Sequence, residues 1–154
     1  MPDTLVGALL GVVAALLGTW GAYLLTEGRD KRRKADELRQ ALHLVHIELA
    51  SQLNALTADG GEAPIDRGAY EALKARALLS LVPRDMATQI VHTYLLLARV
   101  NEAIQDRDNA YWATIAGGRP NADLSNFIST ITATRAAALA PATKCVEALA
   151  QHLR

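Results

Sequence analysis

The residues of this sequence most suited to bind a metal or act as nucleophiles are its four histidines and its single cysteine. His43 and His46 are three residues apart, so on a helix they are neighbours and can share a metal ion. A zinc site takes three or four ligands, however, and no third ligand is recognisable in the sequence. We expect His92 on a solvated face, His152 at a fraying helix end, and Cys145 as a small, partly buried thiol. The sequence therefore predicts no catalytic residue, no metal site and no cofactor.

Four polar residues at the apolar stripes of helices are the other candidates. Asn101 follows Tyr94 by seven residues, which places both on one helix face that should be buried. Glu48 and Gln52 are four residues apart at the edge of another apolar stripe. Because a buried amide without a partner is costly, we expect these four residues to form a polar network that fixes the register of the helices. The same groups would also suit a pocket for a small ligand.

Helices are the elements expected to position these residues. No stretch alternates apolar and polar residues as a half-buried strand does, whereas every long segment fits the helical period of 3.6. In the first segment after residue 34, leucine and valine recur at helical spacing, at Leu38, Leu42, Val45, Leu49, Leu53 and Leu56. The sequence predicts an all-α fold in which about four soluble helices form an antiparallel bundle. An open arrangement completed by another subunit is the alternative.

Capping residues, glycines and prolines predict where these helices begin and end. The first soluble helix should end near residue 58. A short second helix, capped by Asp66, should end before Pro83. We expect the third helix from Pro83 to about Ile115, and a fourth that starts near Asp123 and is kinked by Pro141.

The third helix carries more apolar residues than one face can hold. Its predicted stripe is Met86, Ile90, Val91, Tyr94, Leu95, Ala98 and Ile104. Leu95, Leu96 and Leu97 together cover more than half of the helix circumference, so one of them should point away from a single core. We expect this residue to be Leu96 and assign it to an oligomer interface.

A charge-free apolar stretch, residues 5–26, precedes the soluble part. At 1.5 Å per residue a helix of this length is about 33 Å long, enough to cross a hydrocarbon core of about 30 Å. The residues before it are not basic, which disfavours a cleaved signal peptide. The sequence predicts a transmembrane anchor at residues 1–27 that continues into a helical domain at residues 28–154.

Positive charge follows the predicted span directly, at Arg29, Lys31, Arg32, Arg33 and Lys34. Such residues resist translocation, so the N-terminus should lie outside and the C-terminal domain in the cytoplasm, with the span in a bacterial inner membrane. Weak contact with anionic lipid headgroups should accompany this role in topology. The lipid bilayer is therefore the first predicted partner.

Small residues recur along one face of the predicted span, at Gly7, Gly11, Ala14, Gly18 and Gly21. Membrane helices associate through close backbone packing, which small residues permit, so this face favours a homo-oligomer. The alternative interpretation is that small residues are common in membrane segments of this composition. We refer to these five residues as the small-residue seam.

Charge and cysteine content limit the remaining functions. The chain has sixteen basic and sixteen acidic residues, and five of the basic ones lie at residues 29–34. The rest of the domain is therefore mildly acidic, and we expect no nucleic-acid binding, which requires a basic face. A single cysteine cannot form an internal disulfide, which fits a reducing compartment.

The chain also resembles a group of small, uncharacterised bacterial proteins that have one membrane span and a helical cytosolic domain. The resemblance lies in the segments HIELASQLNAL and LVPRDMATQIVHTYLLLARVNEAI. It is carried by a Glu followed by an Asn on the first helix, and by a Leu-x-Pro start and a Tyr followed by an Asn on the third: Glu48, Asn54, Leu81, Pro83, Tyr94 and Asn101. The resemblance implies an inner-membrane location and no known activity.

These features favour a membrane-anchored, self-associating interaction or scaffold module without enzymatic activity, which presents its bundle to a cytoplasmic protein. A pore-forming or membrane-perturbing oligomeric effector is the first alternative, although a span without strongly polar residues disfavours a stably hydrated channel. A small-ligand sensor that uses Glu48, Tyr94 and Asn101 is the second alternative.

Overall fold

The computed structural model describes residues 2–57, 64–117 and 124–154, and in the first helix the side chains of residues 17–20, 22–23 and 26–57. These residues form four α-helices, α1 (Pro2–Thr57), α2 (Gly68–Ala75), α3 (Arg84–Ala116) and α4 (Ser125–Leu153). A short 3-10 helix (Leu78–Leu81) lies between α2 and α3. The described part of the chain contains no strand, so the predicted all-α class is confirmed.

The chain divides into two compact units, residues 1–37 and residues 38–154. In the first unit, α1 exposes the large side chains of Leu17, Trp20 and Tyr23. Across the described residues, no helix is long and apolar enough to cross a membrane. Most of the predicted span, residues 5–26, lies outside the residues whose side chains are described.

The second unit contains the hydrophobic core. Its α1 segment contributes the predicted stripe, of which Leu42, Val45, Leu49 and Leu56 are buried and Leu38 and Leu53 are partly buried. This part of the helical pattern is confirmed, because only one face of α1 meets the other helices.

Helices α3 and α4 pack along each other as an antiparallel pair. Small residues of α4 lie fully buried at this contact, notably Ala138, Ala142 and Cys145. Small side chains let two helix backbones approach closely, which suits the larger Leu97 and Val100 on the facing side of α3.

The predicted second helix is in fact two pieces. Ala77 adopts a left-handed conformation with φ of 53°, which ends α2 and starts the 3-10 helix. Glycine is the residue that usually adopts a left-handed backbone, so an alanine at this position does not signal a break. Leu73 of α2 and Leu78 of the 3-10 helix are both buried, so the break lets two short helices reach the same core.

The boundaries of the long helices are close to those expected. Pro83 is the N-cap residue of α3, which ends at Ala116, one residue beyond the predicted Ile115. Helix α4 begins at Ser125 and includes Pro141 within it. The predicted start near Asp123 lies outside the described residues.

The buried face of α3 is rotated relative to the prediction. Leu95 is 59% exposed, whereas Leu97 is completely buried. Leu96 is partly buried against the core, so the leucine that points outward is Leu95 and not Leu96 as predicted. The reason is that α4 covers the side of α3 that carries Leu97, which moves the centre of the buried face away from Leu95.

Candidate functional site

The carboxylate of Glu48 connects three helices. One of its oxygens accepts a short hydrogen bond from the hydroxyl group of Tyr94 on α3. The other accepts the backbone N–H of Ala69 at 2.7 Å, at the start of α2. Glu48 is half-buried at the edge of the apolar stripe of α1, next to the buried Leu49. We call Glu48, Tyr94 and Ala69 the polar junction.

The carboxylates of Glu48 and Asp66 accept hydrogen bonds from backbone N–H groups at the start of α2. The first N–H groups of a helix have no partner within the helix. An oxygen of Asp66 accepts the N–H of Arg67 at 2.7 Å and that of Gly68 at 3.0 Å. Glu48 supplies the next acceptor, for Ala69. The N-cap residue of α2 is Arg67, one residue after the predicted Asp66, and it makes no side-chain capping bond. Asp66 instead accepts the two N–H groups at the entry to the helix, and the sequence did not reveal that Glu48 of α1 supplies a further acceptor.

An aromatic pair packs beside the junction. The rings of Tyr70 and Tyr94 stack with centroids 4.3 Å apart and an interplanar angle of 9°. The ammonium group of Lys74 lies 5.2 Å from the centroid of the Tyr70 ring. The stacked rings hold α2 against α3. The hydrogen bond from the Ala69 N–H to Glu48 holds α2 against α1.

Burial makes the hydroxyl of Tyr94 harder to ionise than that of an exposed tyrosine. Its side chain is 1% exposed. Burial, and then its hydrogen bond to the Glu48 carboxylate, raise the pKa of the Tyr94 hydroxyl far above its usual value. Tyr94 is therefore a permanent hydrogen-bond donor at physiological pH, which suits a structural contact better than proton transfer.

Asn101 forms a separate contact about two turns after Tyr94 on α3. Its side-chain oxygen accepts the N–H of Ile65 at 2.7 Å, and its side-chain nitrogen donates to the carbonyl of Ile65 at 2.9 Å. The side chain of Ile65 is buried, so this two-point clamp fixes the segment that leads into α2. The structure thus brings Glu48 and Tyr94 together, while these Asn101 bonds go to backbone instead.

Gln52 lies one turn after Glu48 on α1 and is buried, as the helical spacing predicts. Glu48 binds the backbone of Ala69 and Asn101 binds that of Ile65, so these two residues hold the segment that contains Ile65 and α2. Glu48 bonds to Tyr94 and to backbone, and Asn101 bonds to backbone, so these contacts hold this segment against α1 and α3.

A second buried polar contact joins α3 to α4. The hydroxyl of Thr93 donates to the carbonyl of Pro141 at 3.4 Å, and both Thr93 and Cys145 are buried. Burial raises the pKa of the Cys145 thiol to about 11, against a smaller lowering effect of Thr93. The thiol therefore stays protonated at neutral pH and lacks the reactivity of a nucleophile.

His43 and His46 face each other along α1. The rings of His43 and His46 are parallel, with centroids 6.5 Å apart. No group of three or more His, Cys, Asp or Glu residues that could hold a metal ion occurs among the residues the structure describes. His92 and His152 are exposed.

The basic cluster after the predicted span is partly paired along the helix. Lys31 lies 2.7 Å from Glu27, and Arg33 lies 3.6 Å from Glu37 and 4.0 Å from Asp30. All three pairs are exposed, so each contributes little to stability. Arg29, Arg32 and Lys34, the other predicted topology determinants, are also exposed.

Gly18 is the member of the small-residue seam for which the structure describes the surroundings. A Cβ atom added at Gly18 would meet no atom within 4 Å. The same is true of Gly28 on the same helix. The side-chain environments of Gly7, Gly11, Ala14 and Gly21 lie outside the described residues.

A group of exposed apolar residues that was not predicted from sequence lies at one end of the α3–α4 pair. Tyr111, Trp112 and Ile115 of α3 and Ile128 of α4 are each between 47% and 64% exposed. Tyr111, Trp112 and Ile128 also line a cleft of about 570 Å³. The signal for this group in the sequence is a run of uncharged aromatic and apolar residues at the predicted end of the third helix.

Comparison with known proteins gives no relative from which to transfer a function. No family model matches the chain, and neither curated proteins nor solved structures gave a significant match. The function of the chain therefore has to be inferred from its own residues.

Proposed function

We propose that this chain is a membrane-anchored, self-associating helical interaction module without enzymatic activity. Residues 1–27 form the anchor, and residues 28–154 form a domain in the cytoplasm that presents its outer faces to a protein partner. The bilayer is a bacterial inner membrane, and the N-terminus lies outside.

One observation carries the proposal. Leu17, Trp20 and Tyr23 are 64%, 66% and 64% exposed on the first unit, where α1 is the only described element. These side chains follow one another at intervals of three residues, so they form one apolar face of α1, and a bilayer is an environment that would bury such a face. The charge-free residues 5–26 agree with this environment.

The aromatic residues and the charges that follow support the proposed orientation. Trp20 and Tyr23 lie at the end of the apolar stretch, where amphipathic rings favour the headgroup region. The cluster of Arg29, Arg32 and Lys34 then meets the negative cytoplasmic surface. An opposite orientation would place these charges on the translocated side.

Self-association is proposed through the small-residue seam. The open surroundings of Gly18 mean that a larger side chain fits there in a single chain. Any effect of Gly18→Leu on assembly would therefore come from a neighbouring chain. Gly28→Leu is a matched control, because Gly28 is equally open and lies outside the seam.

The test is the molar mass of the full chain in mild detergent. We expect wild-type chain and Gly28→Leu to be oligomers and Gly18→Leu to dissociate at the same concentration, since close backbone packing drives such association. Equal masses for Gly18→Leu and wild type would contradict the seam as the interface. A monomeric wild type would contradict self-association itself.

The cytoplasmic unit offers an outer face for a partner. Leu44 and Ile47 are 56% and 51% exposed and are three residues apart on α1, opposite the core stripe. The pore-forming effector and the ligand sensor stay alternative proposals. Induced expression with a membrane-potential dye distinguishes the effector, since a module of the proposed kind leaves the potential unchanged.

A further inference from the structure

A cleft between α3 and α4 opens beside Pro141. It has a volume of about 290 Å³, and both helices that form it belong to the unit of residues 38–154. Three residues of each helix line it: Gln89, His92 and Thr93 of α3, and Ala140, Pro141 and Lys144 of α4. We call this space the proline cleft.

Small residues of α4 leave the space open. Ala140 has a single methyl group, and the ring of Pro141 closes onto its own backbone nitrogen, so neither side chain extends far from α4. Pro141 also has no N–H group, so α4 lacks one of its regular backbone hydrogen bonds at this turn. The proline cleft therefore lies where the backbone of α4 is interrupted.

Thr93 connects the two walls of the proline cleft. Its side chain is fully buried, and its hydroxyl donates a long hydrogen bond to the carbonyl of Pro141 at 3.4 Å. The bond crosses from α3 to α4, so the spacing of the walls is maintained without a ligand. Sites for small molecules are usually formed in advance in this way.

Hydrogen-bond donors lie at the rim of the cleft. Gln89, His92 and Lys144 are all exposed. Within the part of the chain that the structure describes, none of these three side chains takes part in an ion pair or a hydrogen bond. Each of them carries at least one N–H group. The cleft thus presents three donor groups that have no acceptor in the described chain.

The charge at the rim is positive and unbalanced. Lys144 is the cationic residue that lines the cleft. The nearest acidic residues along the two helices are Asp85, seven residues before His92, and Glu147, three residues after Lys144. Neither of them lines the cleft or pairs with Lys144. A ligand with one negative charge therefore gains a charge-assisted hydrogen bond at this position.

The size and composition of the cleft favour one class of anion. Pockets for drug-sized ligands have volumes of about 300–1,000 Å³, so this cleft suits a small molecule. Phosphate is typically held by the forked donors of arginine or by N–H groups at the start of a helix, and neither lines the cleft. A carboxylate carries the single charge that Lys144 balances, while Ala140 and Pro141 offer apolar surface to a hydrocarbon group.

We propose that the proline cleft is a binding site for a small organic carboxylate. Lys144 pairs with the carboxylate, and its two oxygens also accept hydrogen bonds from Gln89 and His92. The hydrocarbon part of the ligand lies against Ala140 and Pro141. The bound ligand bridges α3 and α4 and so stabilises their contact. The site shares no residue with the polar junction and does not depend on the membrane anchor.

An NMR titration of the full chain tests the proposal. The chain carries labelled histidine in an uncharged detergent at constant pH and ionic strength, and His92→Gln assigns the His92 ring signal. The probes are acetate, butyrate and benzoate. We expect a saturable shift of the His92 signal with at least one of them. The corresponding amide should bind at least about tenfold more weakly, because it has no charge to pair with Lys144. Inorganic phosphate should give no saturable shift.

Two variants with matched controls assign the binding to the cleft. Lys144→Met should weaken carboxylate binding by about tenfold, the effect of one exposed charge-assisted hydrogen bond. Arg76→Met is its control, because it removes the same charge from an exposed residue outside the cleft. Ala140→Leu should fill the cleft and abolish the shift, whereas Ala136→Leu, one turn earlier at an exposed position, should not. Circular dichroism checks the helix content of each variant.

Four results would overturn the proposal. The first is the absence of a saturable His92 shift with all three carboxylates. The second is equal affinity for a carboxylate and its amide, and the third is phosphate binding as tight as that of the carboxylate, which would indicate a general anion site. The fourth is equal affinity in Lys144→Met and Arg76→Met, or in Ala140→Leu and Ala136→Leu, which would place the binding outside the proline cleft.

Discussion

Replacement of Glu48 by alanine probes the contact that joins α1, α2 and α3. In wild type the carboxylate accepts hydrogen bonds from the Tyr94 hydroxyl and the Ala69 N–H. Glu48→Ala leaves the Tyr94 hydroxyl, on a side chain only 1% exposed, without its acceptor. It also removes the acceptor that caps the first turn of α2.

The size of the loss follows from these two contacts. A buried donor without a partner costs about 1–3 kcal/mol, and loss of a capping acceptor costs about 1 kcal/mol. We expect Glu48→Ala to lower the free energy of unfolding by about 3 kcal/mol. In a Tyr94→Phe background there is no hydroxyl to leave unpaired, so the same change should cost about 1 kcal/mol.

A double-mutant cycle therefore predicts a coupling energy of about 2 kcal/mol between Glu48 and Tyr94. The assay is guanidinium unfolding of the full chain in mild detergent, followed by circular dichroism for wild type, both single variants and the double variant. Glu102→Ala is a control on α3, because Glu102 is exposed and should change the free energy by less than about 0.5 kcal/mol. Additive costs of the two single variants would refute the junction as an energetic unit.

Three further predictions concern neighbouring contacts. Asn101→Ala should cost about 2–3 kcal/mol and speed hydrogen exchange at the Ile65 amide, because both backbone groups of Ile65 lose their partner; unchanged exchange would contradict the clamp. Ala77→Gly should raise the free energy of unfolding by about 0.5–1 kcal/mol, since glycine tolerates the left-handed backbone; a loss of stability would contradict the observed φ. Cys145 should react with a thiol reagent at least about 10³-fold more slowly in the folded than in the unfolded chain, whereas equal rates would show that it is not buried.

The periodic parts of the fold were predictable from sequence, and the reason is visible on α1. Leu42, Val45 and Leu49 return to the same face every three or four residues, so burial of one predicts burial of the others. The long helix α3 was predictable for the same reason, together with Pro83 at its start.

Features that depend on one particular neighbour were not predictable. The outward direction of Leu95 depends on where α4 lies against α3, and the periodicity of α3 alone does not contain that information. The break at Ala77 was hidden because alanine favours helix and rarely adopts a positive φ.

The polar site was predictable in its residue types but not in its partners. Helical spacing places Glu48, Tyr94 and Asn101 at buried edges, because period alone decides which face a side chain occupies. The partners of Glu48 and Asn101 include the backbone of Ala69 and Ile65. Every residue carries the same backbone groups, so sequence gives no sign of which of them a side chain will bind.

Membrane insertion and orientation are the central claim, and cysteine accessibility tests both. In a Cys145→Ala background, single cysteines are introduced as Asp3→Cys, before the proposed span, and Glu147→Cys, at an exposed position of α4. Intact cells are treated with a membrane-impermeant maleimide, and membranes are then washed with carbonate. We predict a carbonate-resistant chain in which Asp3→Cys is labelled and Glu147→Cys is labelled only after lysis. Release by carbonate, or labelling of Glu147→Cys in intact cells, would contradict the claim.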